Sequence, residues 1–183
     1  MNRLPLIRPK RLSMRYFNGF SLRGEESLFS SYLLESAFTV AGFSYGAQKA
    51  FEYVYTTNER VDRLILLSPA FFQDHKKSFI KTQLRYYKAD EKGYREAFLK
   101  NVAYPSSLDL SPHLSGGTLE ELESLLTYVW DEKRFLELLK RGVVIEVFIG
   151  EKDRIVESRE SFEFFSHLTT TYLLKDEGHL LLS

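Results

Sequence analysis

Short β-branched or leucine-rich runs recur along the chain, and most are followed by stretches whose apolar positions repeat every three or four residues. Arg15-Tyr16-Phe17 reads as a first strand, ending in the loop Asn18-Gly19-Phe20-Ser21. Glu25 to Ser36 then predicts a helix with Leu28, Phe29, Tyr32 and Leu33 on one face. A second strand from Phe38 to Ala41 stops at Gly42-Phe43-Ser44-Tyr45-Gly46, after which Ala47 to Tyr55 predicts a helix burying Ala50, Phe51 and Val54. Val61 to Pro69 and Val143 to Gly150 are near-continuous apolar runs, as expected of strands covered on both faces. A helix from about Glu157 to His167, a strand from Thr170 to Leu174 and the loop Lys175-Asp176-Glu177-Gly178-His179 follow.

Between the third and fourth runs the pattern changes to helices, loops and aromatics. Its first helix, Lys77 to Ala89, puts Ile80, Leu84 and Tyr87 on one face and Lys77, Lys81, Arg85 and Lys88 on another. A turn-rich stretch from Tyr104 to Gly117 leads to Thr118-Leu119-Glu120-Glu121, a capping box that starts a helix carrying Leu122, Leu125 and Leu126. Asp131 caps a further short helix, and Gly142 ends it. The alternation predicts an α/β fold of about five parallel strands with helical crossovers. Residues 14–69 and 143–183 form its core, and a helical lid of residues 70–142 is inserted between the third and fourth strands. Residues 1–13 read as a basic tail with Arg3, Arg8, Lys10 and Arg11, which leaves Met14 as an alternative start of translation.

Composition narrows the function classes. At 183 residues and 44% hydrophobic, the chain can bury the core of one domain. The 25 Lys and Arg balance the 25 Asp and Glu, so no overall charge draws it to nucleic acid or an anionic membrane. Without cysteine there is no disulfide framework, thiolate metal site or cysteine nucleophile, which suits a reducing cytoplasm. No apolar run has the length of a signal peptide or a membrane span. No metal or cofactor is expected, and a monomer is the expected state.

A serine in a GxSxG turn between strand and helix sits at the carboxyl edge of a parallel sheet, at the positive end of the next helix. Its hydroxyl is a poor nucleophile until an imidazole takes the proton and a carboxylate orients that imidazole. The chain offers Ser44, Asp153 after the fourth strand and His179 after the fifth, in that order. Asp176 and Asp74 compete with Asp153 for the acid, whereas His75, His113 and His167 lie in the insertion or on a helix. A tetrahedral oxyanion needs two backbone donors. The N–H of Tyr45, next after the serine, is one, and Phe20 in the loop after the first strand is the candidate for the other.

Through Asn18-Gly19-Phe20, Gly42 to Gly46, Gly150-Glu151-Lys152-Asp153 and Gly178-His179, the chain resembles the α/β-hydrolase superfamily over nearly its whole length. Within it, the chain resembles the biotin-pathway pimeloyl-acyl carrier protein methyl ester esterases of the short ε-proteobacterial type. The start near Met14, Gly117-Thr118-Leu119-Glu120-Glu121-Leu122-Glu123 and Ile145 to Gly150 carry that resemblance. It implies hydrolysis of the methyl ester of a pimeloyl group on acyl carrier protein. The departures are Asn18 where most superfamily members have histidine, the lack of a strand and helix before the nucleophile strand, and only four residues after His179. Two other functions fit the same residues: a thioesterase releasing acyl chains from carrier protein, and a hydrolase-like binding protein with an idle triad. The basic face of Lys77, Lys81, Arg85 and Lys88 is where an acidic carrier protein would dock. The alternative is a solvated face, or one paired to Glu120, Glu121 and Glu123.

Overall fold

In the computed structural model, which describes residues 13–183, five strands pair in the order in which the chain makes them. They are β1 (Arg15–Phe17), β2 (Thr39–Phe43), β3 (Arg63–Leu67), β4 (Val144–Gly150) and β5 (Thr170–Leu174). All neighbours are parallel, with Phe17 beside Gly42, Phe43 beside Leu67, Leu67 beside Phe148 and Gly150 beside Leu174. Their carboxyl ends are therefore nearly level, and the loops that follow them share one edge. The basic tail and the choice of start at Met1 or Met14 turn on residues that, Ser13 and Met14 apart, lie outside the described ones.

The described residues also form six α-helices: α1 (Tyr45–Thr56), α2 (Lys77–Ala89), α3 (Glu91–Ala103), α4 (Leu119–Thr127), α5 (Glu132–Lys140) and α6 (Ser158–Ser166). Alternate strand residues feed two cores, because successive side chains on a strand point to opposite faces. Val40, Leu64, Leu66 and Val147 pack with Phe51 of α1, Phe135 of α5 and Phe165 of α6. Ala41, Phe43, Ile65 and Leu67 pack on the other face with Phe29, Val102, Leu110 and Leu180. Burial on both sides is why β3 reads as a near-continuous apolar run; β4, expected to be covered on both faces as well, is only half-buried on the Glu146 and Phe148 side.

The segment from 70 to 142 holds two kinds of structure. Helices α2, α3 and α4 roof the carboxyl edge of the sheet, with Tyr87 donating its hydroxyl proton to the Gly117 carbonyl at 2.6 Å. Helix α5 instead lies in the helical layer, its Phe135 ring 4.4 Å from that of Phe51. Gln48 of α1 ties the roof to the core by donating to the carbonyls of Ala70, just past β3, and Leu125 of α4, 3.0 Å each. The capping box at Thr118 and Glu121 forms with both hydrogen bonds, and the Asp131 side chain accepts from Lys133 N.

One expected helix is different. Glu25 to Ser36 forms a 3₁₀ turn at Glu25–Phe29 followed by irregular chain. Ser27, Ser30 and Ser31 offer the backbone competing partners there, which weakens a longer helix. The segment still buries Phe29 and half-buries Leu28, Tyr32 and Leu33. It crosses from β1 to β2 on the Phe29 face, whereas α1, α5 and α6 make the later crossovers on the Phe51 face. Since every step across the sheet runs the same way, the first crossover has the opposite hand to the other three. Such connections are nearly always right-handed, so this crossover is an exception, and it falls where the resemblance leads one to expect a further strand and helix.

Placement of α5 in the core gives a stability prediction. Phe135→Ala should cost about 3–5 kcal/mol in urea unfolding, and Leu136→Ala, on the exposed side of the same helix, within about 0.5 kcal/mol. A cost below about 1 kcal/mol for Phe135→Ala would place α5 outside the cooperative core.

Candidate active site

Strand β2 ends at Phe43, and the chain turns at once into α1 through Ser44, whose φ of 55° and ψ of −113° lie outside the regions open to ordinary residues. Such a conformation costs on the order of 1–3 kcal/mol and persists only where its surroundings impose it. Here Ser44 N donates to the Leu67 carbonyl at 2.9 Å, and Ala70 N donates to the Ser44 carbonyl at 3.1 Å. Gly46 lets the turn lie against the end of β1, since a Cβ there would stand 2.0 Å from the Phe17 carbonyl oxygen.

His179 arrives from the loop after β5 and is wholly buried. Its Nδ1 lies 2.6 Å from Asp153 Oδ2 and its Nε2 2.9 Å from Ser44 Oγ. A carboxylate only accepts, so the network puts the imidazole proton on Nδ1 and leaves Nε2 to accept from the Ser44 hydroxyl. Asp153 is fixed from behind: its Oδ1 accepts from Ile155 N at 2.7 Å and Val156 N at 3.0 Å. The rival acids are elsewhere. Asp176 is exposed and paired with Lys152 at 3.0 Å, whose ammonium holds that carboxyl below its usual range, and Asp74 is exposed. His75 stacks on Phe79, His113 sits by the Arg23 carbonyl, and His167 by that of Glu163.

Tyr45 is the first residue of α1, and Phe20 is buried in the loop after β1. Among the described residues, neither backbone N–H has an acceptor, and both residues line a cleft of about 260 Å³. Beside Asp153, α2, α3 and α4 with the loop after β4 line a larger, partly open cavity of about 480 Å³, walled by Phe72, Phe79, Phe98, Leu125 and Val156; of the three triad positions only Asp153 reaches it. Its size falls in the usual range for small-molecule sites, roughly 300–1,000 Å³. Lys77, Lys81, Arg85 and Lys88 are all exposed on α2, with Ile80, Leu84 and Tyr87 turned inward. Among the described residues none of the four forms an ion pair; Glu121 pairs with Lys49 instead, at 3.6 Å.

Some participants carried no signal in the sequence. Glu25 reads as an ordinary first-turn acid, yet it is fully buried against the loop before it. Gln48 reads as a solvated helix residue and instead bridges lid and core. Arg154 lies over the Tyr104 ring, joining the acid's loop to the end of α3.

No protein-family profile and no curated protein sequence matches the chain. Solved structures do. Carboxylesterase CesB (YbfK) from Bacillus subtilis superposes with a TM-score of 0.63 at 16% identity, over 95% of this chain and 79% of that one. MenH from S. aureus gives 0.57 at 12%, over 91% and 85%. BioG from Haemophilus influenzae gives 0.58 at 11%, over 91% and 88%. These likenesses establish the α/β-hydrolase fold. Among the described residues no helix is long and apolar enough to cross a membrane.

The close approach at Gly178 yields a test of the geometry, because a Cβ there would stand 1.8 Å from the Tyr104 carbonyl oxygen. Gly178→Ala should slow labelling of Ser44 by a fluorophosphonate by about tenfold or more, since displacement of a reacting group by an ångström can cost about a hundredfold. Gly116→Ala, with open space around it, should label like the parent. Equal rates for the two variants would show that the His179 loop does not depend on that contact.

Proposed function

We propose that the protein is a serine carboxylesterase that hydrolyses the methyl ester of a pimeloyl group carried on acyl carrier protein. The observation that carries the hydrolase reading is the chain of two hydrogen bonds from Ser44 Oγ through His179 to Asp153. In the reaction, Ser44 Oγ attacks the ester carbonyl as His179 Nε2 takes its proton, and the Asp153 carboxylate stabilises the imidazolium. The N–H groups of Tyr45 and Phe20 receive the oxyanion. His179 returns the proton to the departing methoxide oxygen, methanol leaves, and a water activated by the same imidazole cleaves the acyl-enzyme. The product is the free carboxylate with the thioester to the carrier intact.

The substrate rests on three supports: the resemblance read from the sequence, the largely apolar cavity beside Asp153, and the four cations of α2 that form no ion pair among the described residues. An acidic carrier protein would be steered to those cations, with the acyl chain passing inward between α2, α3 and α4. A panel of one acyl group offered as methyl ester, thioester and amide tests the reaction; faster thioester cleavage would replace esterase by thioesterase.

Ser44→Ala, His179→Ala and Asp153→Ala should each lower turnover by about a thousandfold or more, and the Ser44/His179 double variant should be little worse than either single one. Asp176→Ala should retain most activity; if it were crippling while Asp153→Ala was mild, the acid would be misassigned. For docking, Lys77→Glu, Lys81→Glu and Arg85→Glu together should cut kcat/KM for the carrier-bound ester about tenfold or more at low ionic strength, with a smaller loss in high salt. A small soluble ester should be cleaved as before. Equal losses on both substrates would make α2 structural.

A further inference from the structure

The loop after β1 is closed by a side chain for which the triad chemistry has no use. Glu25 is 0% exposed. Its Oε1 accepts from Gly19 N at 2.7 Å and from the Tyr16 hydroxyl at 3.3 Å, and its Oε2 is buried without a partner. The same loop is tied within itself, Leu22 N donating to the Gly19 carbonyl at 3.2 Å and Gly24 N to Asn18 Oδ1 at 3.0 Å, and beyond Phe20 it is tied to residues 113–115, with Arg23 N donating to the His113 carbonyl and Ser115 N to the Ser21 carbonyl, 2.8 Å each. Gly24, at φ 69°, turns the chain so that Glu25 can reach back to Gly19.

The Gly19 residue is thus held at both its N–H and its C=O. A peptide unit is planar, so the Gly19 carbonyl and the Phe20 N–H belong to one rigid plate and point in opposite directions. Fixing the carbonyl toward Leu22 fixes the Phe20 N–H toward the other side, where it has no acceptor. We infer that Glu25 is a positioning residue whose hydrogen bond to Gly19 N aims the Phe20 N–H at the developing oxyanion. The role needs an acceptor at the distance of a glutamate oxygen, and it does not need a charge. Burial, the largest influence on this group, pushes the carboxyl above its ordinary range despite the Gly19 hydrogen bond. An oxyanion donor that must exist before substrate arrives has to be held by the fold, and Asn18 to Phe20 belong to no helix or strand, the nearest ladder contact being the bridge of Leu22 to Leu114.

This inference rests on the esterase reading, and the experiment separates the two. Glu25→Gln keeps the acceptor oxygen and should retain kcat within about threefold, whereas Glu25→Leu should lose roughly 10- to 1,000-fold in kcat with KM little changed, as for loss of one oxyanion donor. Glu25→Asp keeps the carboxylate and withdraws it by one methylene, so it should lose kcat like the leucine variant and serves in its place if that one fails to fold. Amide hydrogen exchange at Gly19, whose N–H is the one bonded to Glu25, should rise in the leucine and aspartate variants and stay at the parent level in the glutamine variant, whether or not any ester is turned over. If the parent shows no Ser44-dependent turnover, the esterase reading fails, and exchange alone decides whether Glu25 holds the loop. Unchanged exchange in Glu25→Leu, equal kcat losses for glutamine and leucine, or parental kcat in Glu25→Asp would each overturn the proposal.

Discussion

Main chain pressed against main chain at the carboxyl edge of the sheet is what the site depends on. A Cβ at Gly150 would stand 2.1 Å from the Gly178 carbonyl oxygen, one at Gly178 1.8 Å from that of Tyr104, and one at Gly46 2.0 Å from that of Phe17. The loops carrying His179, the acid and the serine are thus located by contact with rigid neighbours more than by their own length. Interiors packed at this density transmit displacement, so the buried imidazole inherits the accuracy of the backbone around it. The strain at Ser44 belongs to the same arrangement: β3, through Leu67 and Ala70, holds the turn in a conformation it would not take alone.

The periodic elements were legible in the sequence because burial on one or two faces leaves a mark in every residue. Lys77–Ala89 and Thr170–Leu174 appear with the bounds that their patterns predict. So were the serine, the histidine and an acid after β4, since each needs a particular residue type at a strand end. What was hidden depended on reach across the fold. The pairing of Glu25 with Gly19 joins residues six apart through a turn that needs Gly24 in the left-handed region, and a glutamate opening a helical pattern ordinarily faces water. The failure of the Glu25 to Ser36 helix has the same origin: its apolar spacing fits a helix, while its serines and its path across the second face decide otherwise. Helix α5 was assigned to the insertion because sequence shows where strands stop but not which helix returns to the sheet.

The second face of the sheet is finished economically. Where the resemblance leads one to expect a closing helix, Leu180 and Leu181 fold back beside Phe29 and Leu67, and the Tyr32 hydroxyl donates to the Leu181 carbonyl. Toward β5 the cover thins, so that Tyr172, stacked on Phe148 at 4.8 Å, remains partly open to solvent. The His179 ring packs against Phe43, 5.0 Å away, and the preceding Gly178 lies against the Tyr104 carbonyl.

Sheet order and chain order coincide, with a consequence for how the molecule comes into being. Each strand needs only the one made before it, so pairing can follow synthesis from β1 onward without waiting for a later strand to be slotted between earlier ones. The costly step is β3 to β4, where Arg63 must find Val144 across the whole lid, a loop whose closure entropy must be met before the pairing is rewarded. His179 lies beyond β5, the last strand to emerge. A nascent chain can form the serine turn early, yet the hydrogen bond between Ser44 and His179 cannot form until β5 has been made, so on the proposed reading the hydroxyl stays chemically ordinary until then.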